Sequence, residues 1–385
     1  MSTRSFFNIF LVCVSVGAFA LRTGAQTAEQ KRIKPFKDPA DSAFDISYYL
    51  ANLHGFLPVV MPITEPAVGY GAALAGAFFI PKKETDEKRA FQIPDIAAVA
   101  GGITTNKTWF AGVAYLGFWK GDRIRYRGVL GYGDIRLKYY GKGDEFLEKH
   151  PAEFSIQSYF LLQQVIFRLG NSKFLLGGRY LFGSSKVTFF ENSALPGVDP
   201  RDLDFTNSGI GMISEYDNLN NYFSPTGGLK VNLTYNQFLQ LLGSDRDFGR
   251  LSLYALYYLP VTRKWVSGFR LETLLATGDA PFYMKPFLVL RGVPAMRYLG
   301  DFTALVETEQ QVLFTRRWSA VAFAGYGKAY PSLDNMSEES ATAWNVGAGF
   351  RYLLARLFGL RMGIDVARGP EDWAVYVVVG SAWFK

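Results

Sequence analysis

The feature that most limits how this chain can fold is a period-two alternation of apolar and polar residues, repeated along most of its length. From Leu229 to Gln237 the odd positions are Leu229, Val231, Leu233 and Tyr235, with Lys230, Asn232, Thr234 and Asn236 between them. From Ala343 to Tyr352, Trp344, Val346, Ala348, Phe350 and Tyr352 alternate with Asn345, Gly347, Gly349 and Arg351. Leu360 to Val366 repeats the scheme with Arg361, Gly363 and Asp365 on the polar side, and Arg123, Arg125 and Arg127 alternate with Ile124 and Tyr126. Successive side chains of a strand point to opposite faces, so each segment reads as a strand between two different environments. A soluble β-sandwich alternates too, but it needs neither an export signal nor so many aromatics. This chain has 33 Phe and 22 Tyr, a mean hydropathy of +0.04 and only 19% charged residues. Lipid on one face and water on the other accounts for that balance.

Strands are expected near 56–63, 66–80, 94–106, 108–119, 122–140, 153–169, 172–189, 204–216, 227–238, 248–259, 264–276, 302–314, 317–329, 341–354, 359–368 and 373–384. The fold class is therefore all-β, an antiparallel transmembrane β-barrel of about sixteen strands, an even number as bacterial barrels have. Short turns such as Lys120-Gly121-Asp122, Gly170-Asn171-Ser172 and Thr315-Arg316-Arg317 mostly follow even-numbered strands, and long connections such as 190–203, 277–301 and 330–340 follow odd-numbered ones. Short periplasmic turns and long external loops produce that asymmetry. The charged stretch Lys82 to Arg89 is long for a periplasmic turn. Beyond the N-terminus the longest apolar run, Ala67 to Ile80, is broken by Gly69, Gly71 and Gly76 and ends at Pro81. It is short of the roughly 20 residues a spanning helix needs.

The first residues read as an export signal, with Arg4, an apolar core from Phe6 to Ala20, and small-residue cleavage sites at Ala18-Phe19-Ala20 and Thr23-Gly24-Ala25. The expected organisation is a signal peptide over 1–25, a short periplasmic segment over 26–55 and the barrel over 56–385. Cys13 is the single cysteine and falls within the signal, so the exported chain carries no disulfide, thiol nucleophile or thiolate metal site. His54 and His150 stand far apart in the sequence and outside strand patterns, so no catalytic residue, metal site or cofactor is expected. Gly69/Gly71, Gly131/Gly133 and Gly325/Gly327 sit within strand patterns, where glycine lets a curved sheet bend. The net charge of +7 is spread over strands and turns, with no patch for nucleic acid.

Three stretches resemble the BamA/TamA family of outer-membrane proteins, also called the bacterial surface antigen family. Asp217-Asn218-Leu219-Asn220-Asn221-Tyr222-Phe223-Ser224-Pro225-Thr226-Gly227-Gly228 is similar to the family's turn between its eighth and ninth strands. In such a turn Asp and Asn bond nearby backbone, Pro fixes φ and Gly allows positive φ, which marks Asp217, Asn221, Phe223, Pro225 and Gly227. Leu290-Arg291-Gly292-Val293-Pro294 resembles the Arg-Gly-aromatic motif of the family's sixth external loop. The resemblance implies a loop folded into the lumen, with Arg291 and Gly292 forming a lock whose acidic partner is Glu309 or Glu307. Val293 stands where the family has an aromatic, and Gly325 where it has an aspartate in the following strand; both point to a weaker lock. The C-terminus, from Asp372-Trp373-Ala374-Val375-Tyr376 to Trp383-Phe384-Lys385, resembles the final strand that the barrel-assembly machinery reads, with Tyr376 and Phe384 as its aromatic signal.

The resemblance covers about residues 45–385 and leaves out the periplasmic polypeptide-transport-associated modules, which are expected to be missing from this chain. It implies outer-membrane protein assembly, secretion or envelope lipid handling; a passive or substrate-selective channel is the alternative. Expected partners are outer-membrane lipids, the barrel-assembly machinery during biogenesis and a separate periplasmic protein. In the first strand Pro58 and Pro62 cannot donate ladder hydrogen bonds, so closure against the last strand is expected to be weak.

Overall fold

The computed structural model describes residues 36–48, 56–80, 95–140, 147, 150–190, 203–221, 223–333 and 340–383. The expected signal segment, Cys13, His54, the Lys82–Arg89 stretch, Tyr222 and Phe384 lie outside them. Sixteen strands follow one another: β1 Phe56–Ile63, β2 Gly71–Ile80, β3 Asp95–Thr104, β4 Trp109–Trp119, β5 Ile124–Tyr139, β6 Ala152–Arg168, β7 Phe174–Phe189, β8 Asp204–Asp217, β9 Gly228–Phe238, β10 Phe248–Pro260, β11 Trp265–Gly278, β12 Phe302–Leu313, β13 Trp318–Tyr330, β14 Ala341–Ala355, β15 Leu360–Arg368 and β16 Trp373–Val379. Each pairs antiparallel with its neighbour in sequence, giving one sheet ordered from β1 to β16 that curls into a nearly closed barrel. Among the described residues no ladder joins β1 to β16.

The alternation sorts the two faces as the sequence implies. On β14 the outward Trp344, Val346 and Phe350 are exposed, while the inward Asn345 and Arg351 are buried. On β9 Leu233 and Tyr235 face out, and Thr234 and Asn236 face in. Outward aromatics gather near strand ends, as at the periplasmic ends of β13 and β14, where Trp318 packs edge-on against Tyr352 with centroids 4.9 Å apart. Such rings sit at the level of lipid headgroups.

Two boundaries differ from expectation. β2 begins at Gly71, because Gly69 has φ +78° and the backbone N–H of Val68 donates to the carbonyl of Glu65, making residues 64–70 a turn. β16 ends at Val379, because Gly380 has φ +78° and sends the chain off the wall. The inner face also departs from a uniformly polar lumen. Ala73, Ala75 and Ala77 of β2 face inward along with Ile96, Ala98 and Ala100 of β3, which is why the run around Ala67–Ile80 shows no alternation. Farther round, Tyr139 and Phe154 pack against Phe282 of the long β11–β12 loop at 5.2 and 5.4 Å. That loop fills the lumen from the external side.

Candidate functional site: an arginine lock in the lumen

The β11–β12 loop, residues 279–301, folds back into the barrel as a narrow hairpin. Its arms meet at the Phe287–Leu299 bridge and at the Leu288 N–H to Tyr298 carbonyl bond of 3.0 Å, and Lys285 meets Asp301 at 2.6 Å. Leu288, Leu290 and Val293 are buried with Leu305 of β12, Ala329 of β13 and Ala343 of β14. Val293 thus packs into this small apolar cluster rather than presenting a ring to the lumen. At the hairpin tip Gly292 has φ +85°, and a Cβ there would lie 2.9 Å from the backbone nitrogen of Gly369. Both facts demand glycine. The freed backbone N–H of Gly292 donates to the Tyr376 hydroxyl at 2.8 Å, so Tyr376 of β16 points into the lumen.

This tip aims Arg291 at the wall. Its Nη1 donates to Glu309 Oε2 at 2.7 Å and to Asp365 Oδ2 at 2.8 Å, and its Nε and Nη2 donate to Glu307 Oε1 at 3.2 and 3.1 Å. The Phe323 ring lies 3.4 Å beneath the guanidinium, supplying the aromatic surface that position 293 lacks. Glu307 and Glu309, two apart on β12, share the inner face, so one flat, forked cation engages both. The expected alternatives are therefore joined: Arg291 binds Glu309 and Glu307 together.

The carboxylate missing at position 325 arrives from another strand. A Cβ on Gly325 would fall 2.5 Å from Asn345 Oδ1 and 3.0 Å from Glu307 Cγ, so an aspartate there would displace the Asn345 side chain. Asn345 occupies the space and donates to Glu307 Oε1 at 3.0 Å. Asp365 on β15 supplies the third acid and is itself gripped by both terminal nitrogens of Arg351, Nη2 at 2.9 Å. On the adjoining strand, Arg270 of β11, paired directly opposite Glu307, bridges Glu307 at 3.2 Å and Glu272 of its own strand at 2.6 Å. The result is a buried network in which three guanidiniums interleave with four carboxylates.

The C-terminal tail completes it. Beyond Gly380 the chain turns inward and buries Trp383 against Tyr258 and Gly268. The indole N–H of Trp383 donates to Glu307 Oε2 at 2.5 Å, and the Tyr254 hydroxyl donates to the Trp383 carbonyl. Glu307 is fully buried and takes bonds from Arg270, Arg291, Asn345 and Trp383. Neither Trp383 nor Asp365 stood out as a lock residue from sequence, although Asp365 lies on the polar side of the Leu360–Val366 alternation.

The turn between β8 and β9 closes part of the periplasmic mouth. Asp217 accepts from the Leu219 N–H at 3.2 Å, and Asn221 Oδ1 from the Phe223 and Ser224 N–H groups, both at 2.9 Å. Asn221 Nδ2 reaches the Phe358 carbonyl in the β14–β15 turn at 2.9 Å. Phe223 and Pro225 are buried, and the Phe223 carbonyl abuts Gly380. Positive φ falls on Gly228, at +110°, rather than on Gly227. Among the described residues no group of three or more His, Cys, Asp and Glu side chains is arranged to hold a metal ion.

A sixteen-stranded meander with outward aromatics, an inward loop and short turns at one rim is a bacterial outer-membrane β-barrel. The Omp85 superfamily domain matches residues 162–287. The fold is similar to that of BamA from Haemophilus ducreyi lacking POTRA domains 1-3, with a TM-score of 0.59 at 12% identity over 85% of this chain and 70% of that one. It is also similar to CdiB from Acinetobacter baumannii, with a TM-score of 0.56 at 12% identity over 84% of this chain and 59% of that one. CdiB from Escherichia coli gives 0.54 at 15% identity over 85% and 63%. No curated protein is similar enough in sequence to register as a relative. The chain shares the fold of these barrels and matches the Omp85 superfamily domain over residues 162–287, in keeping with the BamA/TamA resemblance of its turn, loop and C-terminal motifs.

Proposed function

We propose that this barrel handles polypeptide clients at its β1–β16 seam, in outer-membrane protein assembly or secretion, and is not a passive solute channel. One observation carries the reading: the lumen is occupied while the wall is unpaired at one place. The arginine lock and the Trp383 tail fill the interior, whereas β1 and β16 share no ladder among the described residues. A proline is tolerated in a ladder when its nitrogen faces the free edge. Pro58 and Pro62 then leave only Phe56 and Val60, of the four even positions on β1, with an N–H for a partner at the seam.

Wall height points the same way. β1 and β16 have 8 and 7 residues, against 16 or 17 in β5, β6 and β7. A spanning strand needs roughly 9–11 residues, so lipid beside the seam must thin to match. A short edge with unpaired backbone offers a client strand both hydrogen bonds and a weakened bilayer. In this reading residues 1–25 are the export signal, 26–55 lie in the periplasm, and Arg291, Gly292, Glu307 and Glu309 hold the loop that keeps the lumen shut. The barrel-assembly machinery reads the C-terminal residues, including Tyr376 and Phe384, during biogenesis, and a separate periplasmic protein delivers clients.

The test combines seam crosslinking with conductance. Cysteine pairs across β1 and β16, in a Cys13→Ser background, should couple more slowly than a pair at the registered β1–β2 position Val60–Leu74. Locking the seam should abolish capture of nascent outer-membrane proteins by photo-crosslinking, while bilayer conductance stays low. A large, steady conductance in the unmodified protein, unaffected by seam locking, would establish the channel instead.

A further inference from the structure

The segment ahead of the barrel is clasped to the periplasmic rim by an acidic hairpin. Arg317, in the β12–β13 turn, is ringed by Asp38 at 2.5 Å, Asp41 at 2.6 Å and Asp45 at 2.5 Å. Arg356, in the β14–β15 turn, also binds Asp38. Backbone bonds extend the clasp, from Ile46 N–H to the Leu354 carbonyl at 3.0 Å and from Leu357 N–H to Ser47 Oγ at 3.1 Å. The hairpin therefore has a fixed orientation on the wall.

That orientation presents two rings outward. Phe36 and Phe44 stack with centroids 6.2 Å apart and planes 7° apart, and they remain 45% and 53% exposed. The Phe44 carbonyl accepts from the Tyr352 hydroxyl at 2.7 Å. Tyr352 belongs to the lipid-facing set of β14 and packs on Trp318 at the periplasmic end of the wall. The ring pair thus continues the aromatic girdle beneath the strands. Lys37 is exposed beside the rings.

Aromatic rings settle at the headgroup level, and basic residues next to them are drawn to anionic lipid. We propose that segment 36–48 is a membrane-contacting foot, whose Phe36–Phe44 pair seats in the periplasmic leaflet and whose exposed Lys37 favours anionic phospholipid. The clasp around Arg317 keeps the foot pressed to that surface rather than free in the periplasm.

Spin labels at Phe36→Cys and, separately, Phe44→Cys, each with Cys13→Ser, test this in vesicles of phosphatidylethanolamine with and without phosphatidylglycerol. Each variant keeps one ring, and heat-modifiable migration verifies folding. Both labels should be more accessible to dissolved oxygen than to a water-soluble nickel chelate. The oxygen-to-nickel ratio should rise with phosphatidylglycerol, and Lys37→Gln should abolish that rise. Preferential access to nickel would place the rings in water, and access to neither would place them under protein; either overturns the proposal. A ratio indifferent to phosphatidylglycerol would overturn the anionic preference.

Discussion

Replacing Arg291 by Ala tests whether the lumenal loop is locked or merely packed. The Arg291 side chain is 9% exposed, and Glu307 and Asp365, which it joins, are fully buried. Removing one partner from a buried pair strands the other charge and costs roughly 3–5 kcal/mol, far above the roughly 0–1 kcal/mol of a wetted pair. Here the loss should sit near the lower limit, about 3 kcal/mol, because Arg270 still holds Glu307 and Arg351 still holds Asp365. Glu309 is the carboxylate left poorest, with Arg351 at 3.8 Å as its remaining cation. Arg291→Lys should recover little, since one ammonium cannot fork among three acids. The assay is urea unfolding of the refolded barrel in detergent, run as a double-mutant cycle with Glu309→Gln. A coupling of about 1–3 kcal/mol is expected. Protease protection of residues 279–301 should fall with it. A loss under about 1 kcal/mol with additive effects would refute the reasoning, because it would mean the lumen is wet at Glu307.

Trp383→Phe keeps the buried ring but removes the donor to Glu307, and should cost about 1.5–3 kcal/mol in the same assay. Arg317 bonding holds the Asp41 carboxyl down at about 2, and Arg356 and Arg317 hold Asp38 below its usual range. A depressed carboxylate contributes stability above its ordinary value and loses it as pH falls, so a label at position 44 should become mobile between about pH 4 and pH 2. Burial pushes the Glu65 carboxyl, in the turn after β1, up to about 7 despite donors at Ala67 and Ala295. Its folded value lies above its unfolded one, so contact between the β1–β2 turn and the β11–β12 loop should weaken as pH rises toward 7. Hydrogen exchange at Ala295 should report this, and Glu65→Gln should make it independent of pH.

The wall was legible because each strand on the polar side of the barrel states its own two faces, as at Leu229–Gln237. Edges of most strands fell within two residues of their expected places for the same reason. β2 and β16 misled because glycines ended them and nothing in local alternation marks a chain leaving a sheet. The lock was legible in part. Arg291-Gly292 and the Glu307/Glu309 pair lie within one loop and the next strand, where a motif and a spacing of two suffice. Asp365 is 74 residues from Arg291 and Trp383 is 76 from Glu307, and only the barrel's curvature brings them together. The clasp was illegible for a similar reason, since Asp38 and Arg317 are 279 residues apart.

These long-range contacts share a location, and that constrains how the barrel can move. The lock, the tail and the hairpin clasp all fasten to the wall between β11 and β15, through Arg270, Glu307, Glu309, Arg317, Arg351, Arg356 and Asp365. Among the described residues that arc carries most of the buried charge of the wall and is the costliest part to deform, because any strand shift there would unpair ions away from water. β1, at the opposite side of the seam, makes no such ion pair among the described residues and follows the hairpin in the chain through residues 49–55. If the seam opens, β1 and β2 should therefore swing while β11–β15 stay fixed. β16 is the intermediate case, because its wall portion pairs with β15 while its tail is held at Glu307 by Trp383. Extending β16 to zip against β1 would draw Trp383 off Glu307, so sealing the seam and completing the lock compete for the same residues. Trp383→Ala should thus raise disulfide yield between β1 and β16 while lowering protection of the Arg291 loop. Parallel changes of the two in one direction would show that they are independent.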